Sequence, residues 1–245
     1  MSYLLFDALF LALPVAALLR RAGQVPLRVA AATGLLALVA VLWTAPWDGH
    51  LIRTGVWSYD PARVLGRLGP VPVEEYGFVV LMAALVATWG VVSGRLAGGR
   101  PETRSGSRSA GAAGWAAAVG IGAVLLLLGG SGRYLGLLLV WAGPPLALQR
   151  AVAGDLLGSR RLDRLVLAAP VTLWLCLADR CAIALGIWTI NPASSTGVLL
   201  LGLPVEEALF FALTSLLLTD GLLLAGDPRA LARVALLRRR RTVHA

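Results

Sequence analysis

Four glutamates arrive as two doublets. "GPVPVEEYGFVVLMAAL", beginning at Gly69, and "GLPVEEALFFALTSLLL", beginning at Gly202, share the tetrad Pro-Val-Glu-Glu, which sets Glu74 and Glu75 at the mouth of one apolar run and Glu206 and Glu207 at the mouth of another. Carboxyl groups crowded into apolar surroundings cannot all ionise. One keeps its proton beside another that has lost it, and such a pair can give a proton at one point of a reaction and take one at another. Helix capping is the plainer reading, because free N–H groups and the dipole at a helix start favour acids just after a Pro. A cap needs one acid or a Ser, however, whereas both doublets are flanked by apolar residues, where an ionised acid costs ~2.5–3.5 kcal/mol at the bilayer centre and less near its surface. Neighbouring helical residues project about 100° apart, so one Glu of each pair can face the protein interior while the other caps or lines the mouth. The helix dipole, which favours the anion, opposes the desolvation that favours the neutral acid.

Aromatic residues gather in the same segments: Trp47, Trp57, Tyr59 and Tyr76 near the first doublet, Trp188, Phe210 and Phe211 near the second. They read either as an interfacial belt or as rings that stabilise a cation formed nearby. Asp48 and Asp179 stand close by, as boundary residues or as further acids. His50 and His244 form no helical ligand pair, so no metal site is expected. "GGSGRYLG" falls between apolar runs and follows no strand, so no dinucleotide cofactor is expected either. Cys176 and Cys181, five apart within one apolar run, read as packing residues. Acid–base chemistry on something lipophilic is what remains.

The elements that must position these acids are membrane helices. Of 245 residues 58% are hydrophobic and 14% charged, with a mean hydropathy of +0.79, against about 25% charged in an ordinary soluble domain. Apolar runs near the ~20 residues a spanning helix needs lie at about 2–19, 29–46, 73–94, 112–129, 133–149, 165–185 and 204–225. Backbone groups in hydrocarbon must be satisfied internally, so the spans are expected to be helices. No basic segment precedes the first, which is expected to stay in the mature chain. All 22 basic residues are Arg, and counting loops alternately puts 17 of them on one side. The positive-inside rule makes that side cytoplasmic, with the N-terminus outside and the run Arg238 to Arg241 inside, a topology anchor beside anionic lipid rather than a nucleic-acid site.

An offset of 131 aligns Tyr3 with Tyr134, Pro14 with Pro145, Trp43 with Trp174, Asp48 with Asp179 and Trp57 with Trp188, and one further residue brings the doublets into register. The chain is an internal duplication. The expected architecture is an all-α integral membrane protein of seven helices: a three-span copy at 1–95, a linker and fourth span at 96–131, a second three-span copy at 132–226 and a basic tail at 227–245. The extra span makes the two copies parallel and puts both doublets on the non-cytoplasmic face. Packed about a pseudo-two-fold axis normal to the membrane, Glu74 or Glu75 can meet Glu206 or Glu207.

With the tetrads, the segments "GVWSYDP" and "GIWTINP" and the three-plus-one-plus-three layout, the chain resembles the small membrane-embedded lycopene cyclases, which occur as two short subunits or one fused chain. The first copy departs from the pattern at "EEYGFVV", where the second has Phe210 and Phe211. The resemblance implies proton-initiated, redox-neutral ring closure at the end of an acyclic carotenoid such as lycopene, leaving a β-ionone group, with no cofactor. It implies Glu74, Glu75, Glu206 and Glu207 as proton donor and acceptor, with Asp48, Asp179, Trp57 and Trp188 in support. Lycopene, membrane lipid and other carotenoid-pathway enzymes are the implied partners. A fifty-carbon substrate is an alternative. A small transporter with parallel three-helix repeats is another, disfavoured because the acids sit at helix ends, the predicted spans contain almost no other polar lining, and Trp43 and Trp174 fall near ends.

Overall fold

The computed structural model describes residues 1–96 and 107–243, with side chains as far as Leu236. Arg100, Arg104 and His244 lie outside the described residues, as do the side chains of Arg238 to Arg241. Helices α1 (Tyr3–Ala22), α2 (Leu27–Arg53), α3 (Val73–Val92), α4 (Arg108–Leu128), α5 (Arg133–Ser159), α6 (Arg161–Ala184) and α7 (Val205–Ala225) are each long and apolar enough to cross a membrane. An eighth, α8 (Pro228–Val243), follows them. Leu, Ala and Val dominate the seven, and an intrahelical ladder is the arrangement that leaves no N–H or C=O stranded in hydrocarbon. α3 and α7, which carry the Glu doublets, are the most buried of the seven, and α4 is the least.

Two helices outrun their predicted spans. The second was expected to stop at 46, yet α2 continues through Pro46, Trp47 and Asp48 to Arg53. The fifth was expected to stop at 149, yet α5 continues to Ser159 with a kink at Ala153, where φ is −150°. In both, the residues that looked like a boundary are buried against protein: Asp48, Gly49 and Leu51 in one, Gly154 and Leu156 in the other. Polar residues therefore end an apolar run in the sequence without ending the helix. At 1.5 Å per residue each 27-residue helix is about 40 Å long against a hydrocarbon core of ~30 Å, so each tilts or projects from it.

The longer α2 also corrects the placement of Trp43, which lies in mid-helix and not near an end; Trp174, likewise expected near an end, lies in the middle of α6, whose bounds are close to those of its predicted span. Their indole N–H groups are committed to helix packing: Trp43 donates to the Trp141 carbonyl at 3.2 Å, and Trp174 donates to the Phe10 carbonyl at 2.7 Å. The two donors are 131 residues apart, and so are the two acceptors.

At one end of the bundle the connections between α2 and α3 and between α6 and α7 fold into short strands. β1 (Trp57–Tyr59) pairs antiparallel with β4 (Trp188–Ile190), with Ser58 opposite Thr189. β2 (Arg67–Leu68) and β3 (Val71–Pro72) form a hairpin, and so do β5 (Leu199–Leu200) and β6 (Leu203–Pro204). Each hairpin hands the chain directly to a Glu-bearing helix, β3 to α3 and β6 to α7. The second turns through Gly202, whose φ is +81° and whose missing side chain leaves room for the Arg180 guanidinium. The opposite end is tied by charge: Arg164 donates from two nitrogens to the fully buried Asp220, and Arg95 and Arg160 both reach Asp163. Cys176 and Cys181 are free thiols, half-buried in α6.

α4 lies against α5 at a point where two glycines meet. A Cβ on Gly122 would stand 2.9 Å from the Gly136 carbonyl, and one on Gly136 would stand 2.9 Å from the Gly122 carbonyl. Small residues that let backbones approach are a usual device of membrane helix pairs. Gly122→Leu is expected to force the pair apart and lower the thermal midpoint of the detergent-extracted protein, as overpacking by about 1–3 kcal/mol would. Gly120→Leu, two residues away with nothing within 4 Å, is expected to leave the midpoint unchanged.

Candidate active site

The doublets sit at the starts of α3 and α7, each directly after a proline that lacks a capping side chain. Their first members serve the connection behind them. Glu74 accepts the backbone N–H of Leu65 at 2.6 Å, and Glu206 accepts that of Thr196 at 2.6 Å and the Ser195 hydroxyl at 3.0 Å. Leu65 and Thr196 are 131 residues apart, so the latch is the same in both copies. Glu74 and Glu206 thus hold loops instead of capping their own helices. The structure does not bring them together with the second pair, which a rotation of about 100° turns inward.

The inward members are Glu75 and Glu207. Tyr59 donates its phenol to Glu75, and Tyr134 donates its phenol to Glu207 at 2.6 Å. Burial, and then the Glu75 carboxylate beside it, hold the Tyr59 phenol well above its ordinary range, so it keeps the proton it donates. Asp179 is buried and accepts the Trp188 indole N–H at 2.7 Å. Its counterpart Asp48 is equally buried, yet the indole N–H of Trp57 has no partner among the described residues. Glu75, Asp179 and Glu207 converge with Tyr3, Tyr59 and Trp188 on a cavity of about 30 Å³ between the two copies, room for a water or two.

A larger cavity of about 380 Å³ opens on the other side of Glu75. Asp48 and Glu75 form its polar end, Trp141 and Phe210 stand beside them, and the rest is almost wholly apolar. Val39 and Leu148 on its rim are exposed on the helices' outer surface, where lipid surrounds a spanning helix. Rings close the polar end. Trp47 stacks on Trp141 at 4.7 Å between centroids and on Phe210 at 5.9 Å, and Trp57 stands edge-on to Trp47 at 5.3 Å. Phe78, which falls on Phe210 when the doublets are aligned, lines the same cavity and meets Phe211, and the first copy departs from the Phe-Phe pattern at Val79. Tyr76 lies apart, against Leu68 of the first hairpin.

Three contributors carried no role in the sequence. Tyr134 could have been found from its alignment with Tyr3, since a repeated tyrosine mirrors the repeated acids. Asp7, an acid within the first apolar run, is buried with one oxygen unpartnered, and its other oxygen lies 3.8 Å from where a Cβ on Gly77 would be. Trp141 lies in mid-span and carries no signal beyond its size.

A family model described as lycopene cyclase matches residues 1–90 and 134–221. The chain belongs to the lycopene cyclase family. Its relatives include a lycopene beta-cyclase of Halobacterium salinarum, 42% identical over 80% of this chain and 82% of that one. A bifunctional lycopene cyclase/phytoene synthase of Podospora anserina is 32% identical over 77% of this chain and 34% of that longer protein. One of Aspergillus niger is 33% identical over 77% of this chain and 34% of its own. No solved structure matches. Both doublets, both aspartates, Trp57 and Trp188 fall within the stretches matched to the cyclase family, whereas the whole of the fourth span lies outside them.

The latch gives a direct test. Glu206→Gln keeps an oxygen for the Thr196 N–H and is expected to leave the thermal midpoint nearly unchanged. Glu206→Ala strands that N–H and is expected to destabilise the extracted protein by ~1–3 kcal/mol, read as a lowered midpoint.

Proposed function

We propose that the chain is a lycopene beta-cyclase that closes β-ionone rings on the ends of an acyclic carotenoid without change of oxidation state. The observation that carries this reading is the apolar cavity of about 380 Å³ that ends on two carboxyl groups and a wall of rings. Its relatives' names agree. A hydrocarbon end group enters such a space at little cost, and the acids meet it only at the far end.

In this mechanism a carboxylic acid at that end adds its proton to the terminal carbon–carbon double bond. The tertiary cation so formed is attacked by the neighbouring double bond, a six-membered ring closes, and a carboxylate removes a proton from the ring carbon beside the new cation. One proton enters and one leaves, so no electrons are exchanged. Glu75 and Asp48 are the donor and acceptor best placed for the cavity, and Glu207 and Asp179 stand behind Glu75 across the small cavity. Trp57 and Trp188 support them, while Glu74 and Glu206 fix the loops. Trp141 and Phe210 offer π faces to the cation, each worth up to ~2 kcal/mol when desolvated, and Trp47 stacks on both. The same rings shield it from water, which would trap it as an alcohol.

The reading includes an architecture: two parallel three-helix copies, 1–95 and 132–226, joined by 96–131 and followed by a tail at 227–245, as in cyclases of the fused type. Support comes from contacts that each copy makes to the other in equivalent form, Trp43 to Trp141 and Trp174 to Phe10, and from β1 pairing with β4 about Ser58 and Thr189. It includes a placement in the cell membrane with the N-terminus outside and the C-terminus cytoplasmic, supported by the arginine distribution. The substrate arrives through membrane lipid, and the fungal relatives joined to a phytoene synthase suit work beside other carotenoid-pathway enzymes.

Expressed in lycopene-accumulating bacterial cells, the chain is expected to yield a carotenoid of unchanged mass and altered absorption, read by chromatography with mass detection. Unchanged lycopene in membranes that contain folded protein would remove the reading. Turnover in deuterated water is expected to add about one mass unit per ring, because an exchangeable acid supplies the incoming hydrogen and a carbon-bound one departs. Glu75→Gln and Asp48→Asn are each expected to lower the rate by about 10²–10⁴-fold at matched protein levels.

A further inference from the structure

The duplication places a second groove opposite the first. It has a volume of about 290 Å³, and its walls are the first cavity's walls seen through the repeat: Pro14 for Pro145, Ala17 for Leu148, Trp174 for Trp43. A symmetric substrate with two reactive ends suggests two symmetric chambers, each with its own acids. The side chains argue against that.

The first cavity reaches carboxyl groups, whereas the lining of the second contains none. The difference lies in the residues that stand between groove and acids. Beside Asp48 and Glu75 the chain has Trp47 and Trp141; at the equivalent positions beside Asp179 and Glu207 it has Ala178 and Phe10. Phe10 stacks on Phe6 at 4.9 Å, and Phe6 is fully buried and stands edge-on to Trp188 at 5.1 Å. At its other side Phe10 meets Trp174, on the groove wall, at 6.2 Å. The two phenylalanines therefore bridge from the groove wall to the indole that holds Asp179.

The backbone differs in the same place. α1 makes a π turn over Ala8–Ala12, which carries Phe10, while the equivalent part of α5 is regular α-helix. Such turns re-aim a side chain without breaking the helix. The acids differ as well. Asp179 and Glu207 are each held by a donor, the Trp188 indole and the Tyr134 phenol, whereas the Trp57 indole beside Asp48 bonds to nothing described.

We infer that the duplicated chain has one working chamber, the cavity ending on Asp48 and Glu75, and that its twin is plugged by Phe6 and Phe10 and takes no substrate end group. The second copy lends walls to that chamber while its acids are a support: Asp179 and Glu207 sit in the bundle to hold and exchange protons with Glu75, out of reach of the substrate. A carotenoid is then processed one end at a time, and the second end must enter by the same door after the molecule has turned round in the bilayer. This rests on the cyclase reading above.

The test compares equivalent positions on the two rims. Leu148→Trp narrows the first cavity, and Ala17→Trp fills the second groove; both side chains face outward, where added bulk leaves the core undisturbed. With lycopene in liposomes, Leu148→Trp is expected to lower kcat/KM by roughly tenfold to a hundredfold, mostly through KM. Leu42→Trp, on the exposed surface outside both linings, is expected to keep activity, which ties the loss to the cavity and not to added bulk at the outer face. Ala17→Trp is expected to stay within about twofold of the parent. Equal losses from Leu148→Trp and Ala17→Trp, or no loss from Leu148→Trp, with the parent chain active, would overturn the single chamber and leave the cyclase reading standing. A folded parent chain that forms no ring would overturn both.

Discussion

Carboxyl groups inside hydrocarbon must each be given donors, and the layout of this bundle follows from how that demand is met. Glu74 and Glu206 take a backbone N–H from the connection that precedes their own helix. The latch closes two unmet needs at once, since a loop amide and a buried acid would each be costly alone. It also fixes the short strands over the end of the bundle, and β1 against β4 then ties one copy to the other. With the first acid of each doublet spent on the loop, the helix geometry turns the second into the interior. The adjacency of the two residues is what couples architecture to chemistry.

Inside, the same demand is met unequally. Glu207 and Asp179 are provided with donors by a tyrosine and a tryptophan. Glu75 has Tyr59 and an open face on the apolar cavity, and Asp48 borders that cavity beside an indole left unpaired. An acid that borders only a water-sized space suits support, and one that opens on a large apolar cavity suits reaction. In the single-chamber reading, Trp47 and Trp141 on one side, against Ala178 and Phe10 at the equivalent positions, separate the uses of the two sets.

Much of this was legible in the sequence. The doubled Pro-Val-Glu-Glu, the offset of 131 and seven apolar runs located the acids, the repeat and the helices, because each depends on residue type at a fixed spacing. Which Glu of a doublet faces inward was not legible, because it depends on a loop amide 9 or 10 residues upstream. The length of α2 was misjudged where Pro46, Trp47 and Asp48 imitate a boundary; the burial of Asp48, Gly49 and Leu51, a tertiary fact, lets the helix run on. Trp141 was invisible for a related reason, since a lone aromatic in mid-span looks like packing until Trp47 is found stacked on it.

The glycine contact between α4 and α5 has a consequence for how the protein could come apart. Backbones that touch at Gly122 and Gly136 bind the fourth span to the second copy. A break anywhere in residues 97–106 would therefore divide the chain into a piece with three of the seven long apolar helices and a piece with the other four. The smaller would carry Asp48 and Glu75, the larger Trp141 and Phe210, and neither would own a complete chamber. Rejoining would fall to the paired strands and the two crossed indole bonds, so that assembly and the making of the cavity would be a single event.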